Sequence, residues 1–276
     1  MSPSASRFRG LVLTGFGINC EYETAHALEL AGFEACLVHL NDLAAGREKV
    51  GQYHLLVVPG GFAWADDHGA GVLLAHRLRS RLAGELKDFV DSGRLVIGIC
   101  NGFQALVNLG ILPALDNLWR REVALIANDC GNFRNDWVTL SFNSACPSVF
   151  TRGLETMDMP VRHGEGKLYA RPETLVRLEE EHLVAARYAM PDGRPAKGRF
   201  PFNPNGSLGD IAALSDPSGR VLGIMPHPEA HHHLTNHPHW ARRVDAIRRR
   251  GQTVDWRGDG LKIFDNARLY LESSGA

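Results

Sequence analysis

No stretch of this chain approaches the ~20 consecutive apolar residues that a membrane span requires, and no two of its cysteines are spaced C-x-x-C. The five cysteines, Cys20, Cys36, Cys100, Cys130 and Cys146, are odd in number and far apart. That argues against a disulfide framework and for a reduced, cytoplasmic setting with at least one reactive thiol. The residues ahead of the first apolar run, MSPSASRFRG, hold no apolar signal-peptide core. Charge of one sign is scarce too. The formal net charge is −1, so neither nucleic acid nor a membrane surface is implied as a partner. Arg242, Arg243, Arg248, Arg249 and Arg250 are interrupted by Asp245 and read as a solvated helix face. There is no P-loop and no H-E-x-x-H, so neither ATP binding nor zinc hydrolysis has its usual motif. Internal repeats and coiled-coil heptads are absent as well. What is present is an ordinary globular composition, 44% hydrophobic and 22% charged, in a chain long enough to bury a large core.

The apolar runs punctuate the chain in a regular way. Leu11-Val12-Leu13 reads as a strand ended by Gly15-Phe16-Gly17. Asn19 is placed to cap a helix carrying Glu21 and Glu23 in its first turn and stopping at Gly32. Residues 33–40 return as a strand, and residues 54–58 are another, running into Pro59-Gly60-Gly61-Phe62. Leu74, Leu78, Leu82, Leu86 and Phe89 form one stripe of a helix over 72–90. Alternating strands and helices predict a parallel sheet covered on both faces. After Asn117 the runs become shorter: 123–126, 137–140, 184–188 and 221–225 read as strands among polar turns. Residues 160–166 read as a glycine-rich polar stretch, and 203–207 as a strong turn. A closing amphipathic helix is expected over 260–271.

The most informative stretch is LVIGICNGFQALVNLG, residues 95–110. Leu95 to Ile99 suits a strand buried on both faces. From Phe103 the period changes to helical, with Leu106, Val107 and the stop Gly110 at i+3, i+4 and i+7. Cys100 therefore sits on a strand-to-helix turn of the form G-x-C-x-G, the thiol counterpart of a nucleophile elbow. Side chains at Gly98 and Gly102 would collide there. A thiol nucleophile needs a base, and the base needs an orienting group. Of thirteen histidines, His227 alone follows an apolar strand as Cys100 does. In a parallel sheet both strand ends open on one edge, and Glu229 lies on the same face of an extended segment.

Gly98-Ile99-Cys100-Asn101-Gly102-Phe103-Gln104 together with Met225-Pro226-His227-Pro228-Glu229 resembles the class I (triad) glutamine amidotransferases. More narrowly it resembles the glutaminase subunits of phosphoribosylformylglycinamidine synthase, through Asn19-Cys20 with Glu23, Pro59-Gly60-Gly61-Phe62, His163-Gly164-Glu165-Gly166, Arg187-Tyr188, Asn203-Pro204-Asn205-Gly206-Ser207 and the closing segment 259–267. The resemblance implies an α/β fold with a mostly parallel central sheet, helices on both faces and a small additional β region, of flavodoxin-like architecture. It implies one amidotransferase domain over 1–276, with a C-terminal extension from about 231 to 276 packed on it. By the same resemblance Cys100 is the nucleophile toward glutamine, His227 the base and then acid, and Glu229 its orienting group. The N–H groups of Gly61 and Asn101 form the oxyanion hole, and Gly60, Gln104, His163 and Glu165 bind substrate. The ammonia would go to a synthetase partner that converts formylglycinamide ribonucleotide to its amidine in purine biosynthesis, with a small accessory subunit as a further candidate partner. ATP and Mg are expected on the synthetase, and no cofactor or metal on this chain.

Two features depart from the family pattern. Ala230 stands where an arginine is usual and is followed by a histidine-rich stretch through His239, read as a solvated polar loop; a metal site at His227, His231 and His233 is the competing reading. The loop after Gly61 reads Trp64-Ala65-Asp66-Asp67 in place of a glycine–aspartate–tyrosine run. The alternatives are a glutaminase for another ammonia-using synthetase, or a non-catalytic regulatory protein on the same fold.

Overall fold

The computed structural model describes residues 8–275. The chain begins β1 (Arg9–Thr14), α1 (Glu21–Leu30), β2 (Glu34–His39), α2 (Leu40–Ala44), β3 (Leu55–Val58), α3 (Val72–Asp91), β4 (Leu95–Ile99) and α4 (Asn101–Leu109). It continues through β5 (Val123–Ile126), β6 (Arg134–Phe142), β7 (Thr156–His163), β8 (Lys167–Ala170), α5 (Pro172–Glu180), β9 (Val184–Ala189), β10 (Ile211–Ser215) and β11 (Val221–Ile224). It ends in α6 (Trp240–Arg249) and α7 (Leu261–Ser274).

The main sheet has the order β2-β1-β3-β4-β11-β10-β9-β6-β7, and β5 and β8 form a small antiparallel pair beside it. From β2 to β11 all neighbours are parallel; from β11 to β7 all are antiparallel. The parallel strands carry the fully apolar runs LLVV and LVIGI, every residue buried, because helices cover both faces. β1 connects leftward to β2, and the chain then returns to β3 on its other side. With right-handed crossovers this places α1 on one face and α3 and α4 on the other. The reversal opens a crevice at the carboxyl ends of β1 and β3. The predicted stripe of α3 is buried at Leu74, Leu78, Leu82, Leu86 and Phe89.

Three expectations change. Asn19 does not cap α1: Cys20 occupies the N-cap, without a side-chain cap hydrogen bond. The stretch 160–163, read as polar loop, is the end of β7, whose Pro160 faces Trp137 of β6. β7 is an edge strand, where a proline costs no ladder bond. The histidine segment is no solvated loop either. His231 is fully buried and His237 nearly so, at 0% and 4% exposure. Both pack edge-on against Trp137, and His231 Nδ1 lies 3.0 Å from the Asp158 carbonyl oxygen. The Asp158 carboxylate accepts from Thr139 at 2.7 Å and pairs with Arg243 of α6. So the basic helix turns one arginine inward to a carboxylate of β7. α7 buries Leu261, Ile263, Phe264, Ala267 and Leu271 in the common core, and Arg268 donates to the Ala31 carbonyl at 2.8 Å.

Two tests follow from this packing. A Cβ on Gly102 would lie 1.8 Å from the Val58 carbonyl oxygen, whereas one on Gly84, in α3, would meet nothing within 4 Å. Gly102→Ala should therefore destabilise by about 3 kcal/mol or prevent folding, while Gly84→Ala should stabilise by roughly 0.5–1 kcal/mol. Thermal unfolding of both would show it, and equal melting temperatures would contradict the packing. Burial pushes His231 down to about 4. Its unfolded form binds a proton near pH 6.5 that the folded form refuses, so stability is complete above about 6.5 and is lost as pH falls toward 4. The loss is on the order of 3 kcal/mol at most. Replacing His231 with Gln should flatten the fall in melting temperature between those pH values; an unchanged slope would remove His231 as its cause.

Candidate active site

Cys100 links β4 to α4 with φ 51° and ψ −106°, a conformation that non-glycine residues seldom hold. It survives because the backbone on either side is packed without side chains. A Cβ at Gly98 would come 2.7 Å from the Gly102 carbonyl carbon, and one at Gly102 would strike Val58 and Pro59 at the end of β3. The elbow thus lies directly on the β3 turn. The Cys100 sulfur is buried, 3.5 Å from the carbonyl oxygen of Arg162 in β7.

β11 runs parallel to β4 in the register Gly223↔Gly98 and Ile224↔Ile99, and Cys100 N–H donates to the Ile224 carbonyl at 2.8 Å. The two strand ends therefore deliver Cys100 and His227 to the same edge. His227 is extended and Glu229 follows in a single 3₁₀ turn. The pair does not share the face of a continuous extended segment; the turn folds the carboxylate back. Glu229 Oε1 lies 2.5 Å from His227 Nδ1, with 0% and 2% of the two side chains exposed. His227 Nε2 and Glu229 Oε2 have no partner. Burial alone would lower His227, but the Glu229 carboxylate and the Cys100 sulfur outweigh it and hold the imidazole well above its usual range.

The glycine turn after β3 completes one wall. Gly61 has φ 147°, and a Cβ there would sit 2.8 Å from Asn19 N and from the Gly17 carbonyl oxygen. Gly60 is pressed against the His227 ring, and its carbonyl accepts the N–H groups of Asn19 and Cys20. The turn is tied to the elbow: Ala63 N–H donates to Asn101 Oδ1 at 3.1 Å. The Asn101 amide donates in turn to Asp66 at 2.9 Å and to Gln104 Oε1 at 3.0 Å. Gln104 donates to the Glu165 carbonyl, and Glu165 Oε2 accepts from Ala70 N–H at 3.1 Å. The structure thus brings Gly61, Asn101, Gln104 and Glu165 into one connected wall.

His163 lies beneath it, 2% exposed. Asn128 donates through its amide to the carbonyls of His163 and Asn132, leaving its Oδ1 to face His163 Nδ1 at 3.1 Å. This network assigns the proton to Nδ1 and leaves Nε2 a buried acceptor without a partner. Burial, then the neighbouring His227, push His163 down to about 3, so it is neutral near pH 7. Asp66, Asn128 and Cys20 were not singled out as site residues from the sequence. Asp66 lay in the stretch that departs from the family pattern, and no spacing places Asn128 near the elbow. Cys20 enters the sequence reading only through the Asn19-Cys20 segment, and it stands beside His227 and Glu229.

Residues 7–271 match the model of the CobB/CobQ-like glutamine amidotransferase domain. The chain is 40% identical over 265 residues to the phosphoribosylformylglycinamidine synthase subunit PurQ of Methanococcus maripaludis, covering 95% of this chain and 96% of that protein. The chain belongs to the glutamine amidotransferase subunits of phosphoribosylformylglycinamidine synthase. Members of this family make up one component of a ligase-class enzyme. A second member, from Dehalococcoides mccartyi, is 40% identical over 264 residues, covering 95% of this chain and 97% of its own. Among solved structures, that of PurLQS from Thermotoga maritima matches with a TM-score of 0.69 at 29% identity, over 95% of this chain and 98% of that one. The glutaminase domain of Trypanosoma brucei CTPS, at 13% identity and a TM-score of 0.50 over 92% and 98% of the two chains, shares the fold. None of the helices among the described residues is long and apolar enough to cross a membrane.

The wall of this family member makes one electrostatic prediction. Burial, then the charge of Glu165, raise Asp66 to about 6. Carbon-13 NMR titration of Asp66 should find a midpoint near pH 6, moving down in Glu165→Gln as the neighbouring negative charge is removed. A midpoint in the ordinary aspartate range in both proteins would contradict this geometry.

Proposed function

We propose that this chain hydrolyses glutamine to glutamate and ammonia at Cys100, His227 and Glu229. The ammonia then serves a synthetase that converts formylglycinamide ribonucleotide to formylglycinamidine ribonucleotide. The observation that carries the reading is the fully buried His227–Glu229 pair, delivered by β11 to the strained elbow that β4 delivers beside it.

The chemistry follows from which atoms are already committed. His227 Nδ1 is engaged by Glu229, so Nε2 is the atom that holds the proton taken from Cys100, and the raised basicity of the imidazole favours this thiolate–imidazolium pair. The sulfur then attacks the side-chain carbonyl carbon of glutamine. Negative charge develops on the carbonyl oxygen, where the N–H groups of Gly61 and Asn101 would receive it; each such donor is typically worth ~3 kcal/mol. The Ala63–Asn101 hydrogen bond and the close packing of Gly102 on Val58 keep those two segments in register. Collapse of the adduct breaks the C–N bond, and His227 returns its proton to the departing nitrogen, releasing ammonia and leaving a thioester. Water, deprotonated by the same Nε2, releases glutamate. Gly60, Gln104, Glu165 and His163 frame the space where the substrate would lie, with Glu165 and Asp66 offering negative charge to its ammonium group.

The partner is read from the relatives. They are named as synthase subunits, and the Thermotoga maritima structure is of PurLQS. A PurL-like synthetase carrying the ATP and magnesium chemistry, with a PurS-like accessory subunit, is accordingly assigned to this chain. The loop from Phe62 onward, with Trp64 stacked on Phe16 at 4.7 Å, joins the oxyanion turn to the surface and suits a contact that senses that partner.

The test is glutamine hydrolysis by the chain assembled with its synthetase. Cys100→Ala should abolish it. His227→Ala should remove nearly all turnover, and Glu229→Ala about 100-fold less, since an orienting group transfers no proton. The double variant should be little worse than His227→Ala alone; losses that multiply would show two independent residues.

A further inference from the structure

We propose that Cys20, His227 and Glu229 form a binding site for a thiophilic divalent cation of the zinc class. There the ion arrests the enzyme by taking the two groups that serve Cys100. The arrest rests on the proposed triad; the binding does not.

Cys20, His227 and Glu229 each present a donor atom, and the three atoms lie within 4.8 Å of one another, all in buried side chains. Among the described residues no other group of histidine, cysteine and carboxylate side chains gathers this way. In particular, His231 and His233 turn elsewhere, to Asp158 and Thr235. The set of one thiol, one imidazole and one carboxylate suits zinc or cadmium rather than magnesium or calcium.

The place is built rather than incidental. Cys20 begins α1, its N–H held by the Gly60 carbonyl. A Cβ on Gly60 would come 3.2 Å from the Cys20 sulfur and 3.4 Å from His227 Nδ1. The same Cβ would come 2.8 Å from His227 Cε1, so only the bare Gly60 backbone fits here, and it packs the Cys20 sulfur and the imidazole into one close cluster. Glu229 Oε2 is buried with no partner and can turn to an ion while Oε1 faces the ring. Burial holds the Cys20 thiol protonated, so binding releases the thiol proton and the Nδ1 proton to water. The ion then replaces the proton that joins His227 to Glu229, and its positive charge opposes protonation at Nε2, so the imidazole can no longer hold the Cys100 proton.

Any thiol enzyme can be poisoned at its nucleophile, so the test separates Cys20 from Cys100. Cadmium is titrated into the full-length Cys100→Ala protein while the ultraviolet thiolate-to-metal absorption is followed. One equivalent should bind with that absorption. The double variants Cys20→Ala/Cys100→Ala and Cys20→Ser/Cys100→Ala should lose it, and His227→Ala/Cys100→Ala should bind at least ~10-fold more weakly, the smallest cost expected when a metal site is disturbed. No binding in Cys100→Ala, or equal binding without Cys20 or His227, would overturn the site. In the assembled enzyme, zinc should inhibit glutamine hydrolysis reversibly with chelator, and Cys20→Ser should raise the half-inhibitory concentration at least ~10-fold. Equal inhibition of both proteins would overturn the arrest. Absence of hydrolysis in unmetallated protein would defeat the proposed function while leaving the cadmium result to decide the site.

Discussion

The contact of Gly102 with the carbonyl of Val58 is the constraint on which the site depends. Two backbone segments, the first turn of α4 and the end of β3, meet with no side chain between them. That closeness brings the Asn101 and Gly61 peptides to one place and lets the Asn101 side chain bridge to Ala63. A positive φ at Cys100 is the other half of the arrangement. The strain persists because the strands on either side, β3 and β11, are themselves buried and in parallel register with β4. A rigid scaffold holds a strained residue, and the residue projects a sulfur to the sheet edge.

Around the elbow the protein arranges its titratable groups by environment. His227 is buried beside a carboxylate and so favours its charged form; His163 is buried beside an amide and stays neutral. The two imidazoles are near enough for charge on one to oppose charge on the other. Burial lowers both; the carboxylate beside His227 reverses that effect, and the amide beside His163 does not. A similar division holds among the histidines after Glu229. His231 is drawn into the Trp137–Asp158–Arg243 cluster that fastens α6 to β7, whereas His233 caps a short turn at the surface and stacks on Trp256. A run that looks uniform in sequence is divided between a buried joint and a surface cap.

Local patterning determined a great deal. The apolar runs of β1, β3, β4 and β11, the α3 stripe and the glycines about Cys100 are all signals carried within a few residues, and each has one low-energy structural outcome. The elbow and the His-Pro-Glu segment were legible for the same reason: a backbone conformation that excludes side chains leaves glycine and proline at fixed offsets. β7, β10 and α5 were not legible. β7 carries a proline that only an edge position tolerates, and edge position is a property of the whole sheet. Asp66 and Asn128 reach the wall through hydrogen bonds to residues 35 positions distant in each case, and no periodicity encodes such a pairing.

The sequence by itself thus determined which residues are the candidates for chemistry: a thiol in an elbow, an imidazole and a carboxylate two residues apart. Tertiary structure decided the rest, namely which nitrogen of His227 is committed, which carboxylate is raised by its neighbour and which of five cysteines stands beside His227. The physical reason is range. Backbone sterics act over two or three residues and leave their mark in composition, whereas charge, desolvation and hydrogen-bond partnership depend on what the sheet order places side by side. Cys20 and His227 are 207 positions apart in the chain, and only the parallel packing of β1, β3, β4 and β11 makes them neighbours.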